Sequence, residues 1–201
     1  MNAESILTSD DFRQCQSFHG HLCPGLSLGY VAGKLALEWI RENRSEDEEV
    51  VAIVENDSCF VDAVQVLTGC TFGKGNFIYK DYGKMALTLM SRNTSRGVRV
   101  CLKPGAFAPD EEHFTLLRKV MSGEADENEQ ARFREKHYLR SVEILETPPT
   151  DLFTMTTLKA PIPEKARIEP SLPCSRCGEP VMSTKMVTLE EDKLCRACAG
   201  Y

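Results

Sequence analysis

At 201 residues with 42% hydrophobic content, the chain can build one full core and a small appendage, and no apolar run reaches the roughly 18 residues a membrane span needs. A formal net charge of −6 argues against a general nucleic-acid binder, whose affinity rests on neutralising phosphates. Nine cysteines, an odd number with two tight C-x-x-C pairs and an acidic N-terminus unlike a secretion leader, point to metal and thiol chemistry in a reducing compartment, so a cytoplasmic location is expected.

Thr8 or Ser9 can cap a short helix over "DDFRQCQSF". The segment "SFHGHLCPG", residues 17–25, follows, and Pro24 suits the first position of the next helix, where its missing N–H costs nothing. That helix is predicted to run to about Arg44. Gly25, Gly29 and Gly33 fall on one stripe of it. Glycine costs a helix about 1 kcal/mol each against alanine, so the stripe predicts a close neighbour, either a sheet or a partner helix. "SEDEE" reads as a solvated turn and "VVAIVEN" as a buried strand. Asp57 and Ser58 can cap a helix over "CFVDAVQVLTG", which leads to the glycine-rich loop "CTFGKGN". "FIYK" and "MALTLMS" read as strands around the turn "DYGK", and "GVRVCLK" alternates with Val98, Val100 and Leu102 on one face.

A helix capped near Asp110 and stopped at Gly123 comes next, then a polar helix from about Glu127 to Glu146. His113 and His137 on these helices are expected at the surface. Residues 147–173 hold six of the ten prolines and read as a linker or extended arm, broken by the strand "LFTMTTLK". The grouping predicts an α+β fold, an antiparallel or mixed sheet flanked by helices. The expected division is a main domain over residues 1–160, a linker over 161–172 and a small domain over 173–201.

The tail carries Cys174, Cys177, Cys195 and Cys198, two C-x-x-C pairs separated by seventeen residues. Each pair sets two thiolates on one tight turn, and two such turns complete a tetrahedron around Zn²⁺. So short a module cannot hold itself together by its core, so structural zinc must supply folding energy; a zinc-ribbon or treble-clef-like finger is expected. Iron is a lesser rival for four thiolates. Residues 165–201 hold six Lys/Arg against five Asp/Glu, without a basic stripe, which favours protein contact over nucleic acid.

In "FHGHLCPG", His19, His21 and Cys23 alternate, so an extended loop would turn all three to one side. Cys23 precedes Pro24 at a helix start, where the dipole favours thiolate. Cys59 starts a second helix, and Cys70 lies too far along it, about 16 Å at 1.5 Å per residue, to share its metal. Cys59 is therefore the expected partner of His19, His21 and Cys23 around a second metal of unknown identity. Lys74, between glycines, is a plain turn residue or meets an anion. Cys15 and Cys101 are expected to be packed.

These pieces, "FHGHLCPG" at 18–25, "ENDSCFVDAVQVLTGCTFGKGN" at 55–76 and "PIPEKARI…CSRCGEP" at 161–180, resemble the FmdE family, named for a component of formylmethanofuran dehydrogenase. The resemblance implies an α+β domain, a C-terminal zinc finger, dimerisation and a metal-binding groove using the His and Cys residues of the first two pieces. It also implies association with a molybdenum or tungsten enzyme system, whose chemistry sits on other polypeptides. The expected function is a metal-binding accessory protein or small metalloenzyme of anaerobic one-carbon metabolism. In an enzyme, Cys23 or Cys59 would be the thiolate, His21 a proton carrier or ligand, and Lys74 a positive charge for an anionic substrate. The alternative is a regulatory or adaptor protein, its finger binding protein or nucleic acid and its His/Cys cluster sensing metal or redox state. A homodimer is expected from the glycine stripe, the proline-rich arm and the resemblance.

Overall fold

The structure, a computed structural model, describes residues 2–107, 110–159 and 161–201. It divides into two compact units, one ending at Lys165 and one spanning Ala166–Tyr201.

The first unit begins with helices α1 (Ala3–Leu7), α2 (Asp10–His19) and α3 (Pro24–Ile40). Strand β1 (Val50–Val54), helix α4 (Phe60–Thr68), and strands β2 (Phe77–Tyr79), β3 (Ala86–Ser91) and β4 (Gly97–Leu102) follow. Helices α5 (Glu111–Ser122), α6 (Glu127–Glu146) and α7 (Pro149–Leu152) lead to β5 (Phe153–Leu158). The five strands form one mixed sheet in the order β2-β1-β3-β4-β5, with only β1 and β2 parallel, so the α+β class holds.

The expected hairpin around "DYGK" is not formed. β1 lies between β2 and β3, pairing Ala52 with Phe77 on one side and with Leu89 on the other. The apolar run of β1 explains this: Val50, Val51, Ala52 and Val54 are all buried, and a strand covered on both faces is best placed inside the sheet.

α3 packs on β3 and β4 and against α4 and α6. Leu26, Ala32, Ala36 and Ile40 are fully enclosed in that core. The helix stops at Ile40, with Arg41 in the left-handed conformation at its C-cap, short of the expected end near Arg44. The sequence beyond is used elsewhere: Glu42 accepts from the Ser91 hydroxyl, and Arg44 donates to the carbonyl of Val66.

The neighbour that the glycine stripe demands is α4 of the same chain. A Cβ on Gly29 would lie 2.1 Å from the carbonyl oxygen of Phe60, one on Gly33 would lie 2.9 Å from Leu67 Cδ1, and one on Gly25 would lie 3.0 Å from Cys59 Cβ. The stripe therefore lets the start of α4 settle onto α3, and it no longer argues for a second copy of the chain.

The second unit holds two hairpins, β6 (Ser171–Pro173) with β7 (Pro180–Met182) and β8 (Val187–Leu189) with β9 (Asp192–Leu194), and the short helix α8 (Arg196–Ala199). Among its described residues only Cys174 and Leu194 are buried.

Candidate metal centre and its cavity

His19 is the last residue of α2, and Gly20 ends that helix at a φ of 97°, a conformation that suits glycine. The chain turns there and re-enters helix at Pro24. His19, His21 and Cys23 thus meet across a helix–turn–helix corner, not along one side of an extended loop. One ligand atom from each lies within 4.8 Å of the others. The two imidazole rings are 4.4 Å apart, and His19 Nε2 is 3.5 Å from Cys23 Sγ. Ligand distances of about 2.0 Å to nitrogen and 2.3 Å to sulfur at a tetrahedral angle give an N···S edge of about 3.5 Å, so this spacing suits a shared metal.

The other nitrogen of His19, Nδ1, lies 2.7 Å from Asp62 Oδ2. A carboxylate on the second ring nitrogen fixes tautomer and orientation and raises basicity at the first, the usual arrangement behind a metal-bound histidine. Sequence reasoning misses Asp62. The one signal for it is its place one turn beyond Cys59, on the helix face that carries Cys59.

Cys23 is the N-cap of α3 in fact as well as by spacing, its sulfur accepting from the N–H of Leu26 at 3.3 Å. Cys59 stands at the start of α4, with no side-chain cap; Ser58 instead donates to Asn56 Oδ1 at 2.8 Å. The close approach at Gly25 puts Cys59 on the first turn of α3, beside Cys23. The two thiols behave as one pair. Their mutual hydrogen bond is the largest influence on both, pushing Cys59 down to about 5 and Cys23 up; burial opposes the fall at Cys59, while the charges of His19 and His21 assist it. The pair holds one proton, with the thiolate on Cys59. The structure thus gathers His19, His21 and Cys23 into one ligand group with Cys59 alongside.

Two neighbours in the sequence lie apart from this group. Lys74 donates to the carbonyl oxygens of Ser45 and Glu46, each at 3.2 Å. Cys70 is fully buried, donating to the Val50 carbonyl at 3.3 Å, and burial pushes its thiol up to about 11. Cys15 is enclosed in the core and Cys101 is half-buried.

The cluster opens onto a cavity of about 830 Å³, within the range of small-molecule sites. His21, Leu22, Cys23 and Cys59 form one wall. A helical stripe of α5, His113, Phe114, Leu117 and Met121, faces in from another side. Phe133, Arg134, His137 and Arg140 do the same from α6. The expectation that His113 and His137 are surface residues is overturned: His113 is 9% exposed, and its Nε2 lies 2.9 Å from His137 Nδ1. Burial is the main reason both rings are harder to protonate than a free histidine, with His137 pushed down to about 4. The polar composition of α5 and α6 hid a narrow aromatic stripe on each.

In the second unit, the ligand atoms of Cys174, Cys177, Cys195 and Cys198 lie within 4.8 Å of one another. The Cys177 and Cys195 sulfurs are 4.0 Å apart, close to the edge of about 3.8 Å expected for thiolates at 2.3 Å. Backbone N–H groups of Cys195 and Cys198 point at the sulfurs of Cys174 and Cys195, both at 3.3 Å. Backbone N–H groups of Cys177, Cys195 and Arg176 pull the Cys174 thiol down to about 6. These four cysteines could hold a metal.

A family described as "FmdE, Molybdenum formylmethanofuran dehydrogenase operon" matches residues 18–154. The chain belongs to the FmdE family. The matched stretch takes in the His/Cys corner, α4 and the α5–α6 wall, and stops before the second unit. A protein of Archaeoglobus fulgidus, described as a probable S-adenosyl-L-methionine-binding protein, is 34% identical over 209 residues. That alignment covers 99% of this chain and 55% of the relative, so this FmdE-family chain spans about half the relative's length. A crystal structure of an FmdE-like protein of tungsten formylmethanofuran dehydrogenase, from Syntrophus aciditrophicus, matches with a TM-score of 0.58 and 27% identity, over 97% of this chain and 95% of that one. No helix among the described residues is long and apolar enough to cross a membrane.

Proposed function

We propose that this FmdE-family protein is a metal-binding accessory protein or small metalloenzyme whose N-terminal unit acts on a small molecule. His19, His21 and Cys23 would hold a thiophilic metal, zinc or iron, with the Cys59 thiolate as fourth ligand or as nucleophile. The observation that carries the reading is His19, which has a carboxylate on one ring nitrogen and a cysteine sulfur at ligand spacing from the other. Bound there, the metal would supply Lewis acidity at the cavity wall. Asp62 would orient His19, and His21, exposed on that wall, would carry a proton between the cluster and the cavity. Lys74 is left out of this site because its ammonium is held by backbone carbonyls.

For the second unit we propose structural zinc on Cys174, Cys177, Cys195 and Cys198, and contact with another protein as its role. A molybdenum or tungsten enzyme system is the proposed context, on the strength of the family's name. A homodimer remains a proposal resting on the family resemblance and the proline-rich arm; sedimentation as a 22.5 kDa monomer at micromolar concentration would refute it.

Metal analysis of anaerobically purified protein tests the site. Two metals per chain are expected, and one in a Cys23→Ala, Cys59→Ala variant that still melts cooperatively. Full occupancy in that variant would overturn the N-terminal site. S-adenosyl-L-methionine, which the Archaeoglobus relative's description brings forward, is one compound to titrate against the loaded protein.

A further inference from the structure

The proposed site has a second pole. Across the cavity from the cysteines, α5 and α6 bring together His113, His137, Arg134 and Arg140 in an otherwise aromatic and aliphatic wall. The two histidines bond to each other, and both rings lie against Phe133, with centroids at 5.6 and 4.8 Å. A pair of neutral imidazoles joined by one hydrogen bond always keeps one N–H donor and one lone pair for something else, whichever tautomer is present. Arg140 stacks over Phe107 at 4.2 Å, its side chain 15% exposed, and its guanidinium lies 3.9 Å from the Glu143 carboxylate. The acidic group on this wall, Asp110, is already taken: it accepts from the N–H of His113 at 2.8 Å and meets Lys136 at 3.2 Å. The charges left facing the cavity are therefore positive, in a protein with a net charge of −6.

From this arrangement we infer that the cavity takes an amphipathic organic anion, a carboxylate on a flat apolar body, with the carboxylate on Arg134, Arg140 and the His113–His137 pair and the far end at the His/Cys cluster. Phe114, Phe133 and Phe107 offer the body aromatic surface, and Phe114 is 52% exposed on the open side. Guanidinium groups read a carboxylate by paired hydrogen bonds, and burial beside aromatic rings strengthens them. The positive field at this wall is also felt by His113, whose protonation burial and then Arg140 disfavour. The identity of the far end rests on the metal-site reading above; recognition of the anion does not.

The test is calorimetric titration of three probes of one shape: 4-phenylbutyrate, its primary amide and the corresponding amine. The full-length protein is used, with metal content measured on the same sample. The carboxylate is expected to bind about tenfold or more tighter than the amide, and the amine weakest, as charge-assisted hydrogen bonds require. Arg140→Met keeps length and stacking and should remove most of that preference. Arg134→Gln, at an exposed position, should lower it about threefold or less. Amide binding should be unchanged in both. Equal binding of carboxylate and amide by wild type, or a preference that survives in the double variant, overturns the inference. Metal-free protein that still prefers the carboxylate upholds the inference while overturning the N-terminal metal site. Metal-loaded protein without the preference does the reverse.

Discussion

The two ligand groups of this chain are built on opposite physical terms. The N-terminal one sits on a finished core: Phe12, Leu26 and Phe60 are fully enclosed around it, and α3 is clamped to α4 through Gly29. The C-terminal one sits on almost none, since only Cys174 and Leu194 are buried among the described residues of its unit. In the first, the fold places the ligands and a metal would add chemistry. In the second, the ligands are the core, and the metal must supply the cohesion that apolar burial does not.

The widest break in this comparison is expected from metal removal. A strong chelator, or Cys177→Ser, should unfold the second unit outright, because binding energies of about 10–16 kcal/mol are folding energy in such modules. The first unit should keep its cooperative melt. Amide dispersion in NMR spectra reports both units at once, and a second unit that stays dispersed without metal would erase the contrast.

Gly29→Ala attacks the first unit where its core holds the site. The added methyl would meet the Phe60 carbonyl, so α4 must move off α3. Overpacking of this kind costs about 3 kcal/mol. For a unit of this size that is roughly 6–12 °C in Tm, read by calorimetry. Because Cys59 rides on α4, the N-terminal metal should fall with it, while Gly73→Ala, where a methyl meets nothing within 4 Å, should change neither.

Asp62→Asn separates chemistry from fold. It leaves the packing in place and removes the charge behind His19. Metal affinity should drop about 10- to 100-fold with little change in Tm. Competition with a chromophoric chelator measures it, and unchanged affinity would mean that His19 is not a ligand.

The smallest effect concerns pH. Burial, then the charges of His113 and His21, push His137 down to about 4 from an ordinary value of 6.5. The unfolded chain takes up that proton as pH falls through 6.5, and the folded chain only near 4. Its contribution to stability is therefore complete above 6.5 and lost progressively on the way down to 4. His137→Phe should flatten the fall of Tm between those limits, and an identical slope in both proteins would refute the assignment.

Much of this is legible without any coordinates. Residues close in sequence declare their chemistry locally: two C-x-x-C turns, a histidine–cysteine corner broken by Gly20, a cysteine set before Pro24 at a helix start, a stripe of glycines four apart. Helix caps and spacings act over one or two turns, and the helices at 111–122 and 127–146 follow from their caps. What lies beyond is decided by packing between distant segments. The strand at 50–54 takes the middle of the sheet because it is apolar on both faces, which no turn signal announces. The glycine stripe meets α4 and not a second chain because Phe60 and Leu67 fit it. Asp62 reaches His19 from 43 positions away, and His113 finds His137 from 24. Lys74 turns to carbonyls 28 and 29 positions back. The sequence determined which side chains were capable of holding a metal or a proton. Only the tertiary structure decided which of them share a cavity, because that depends on how whole elements bury their apolar faces against one another.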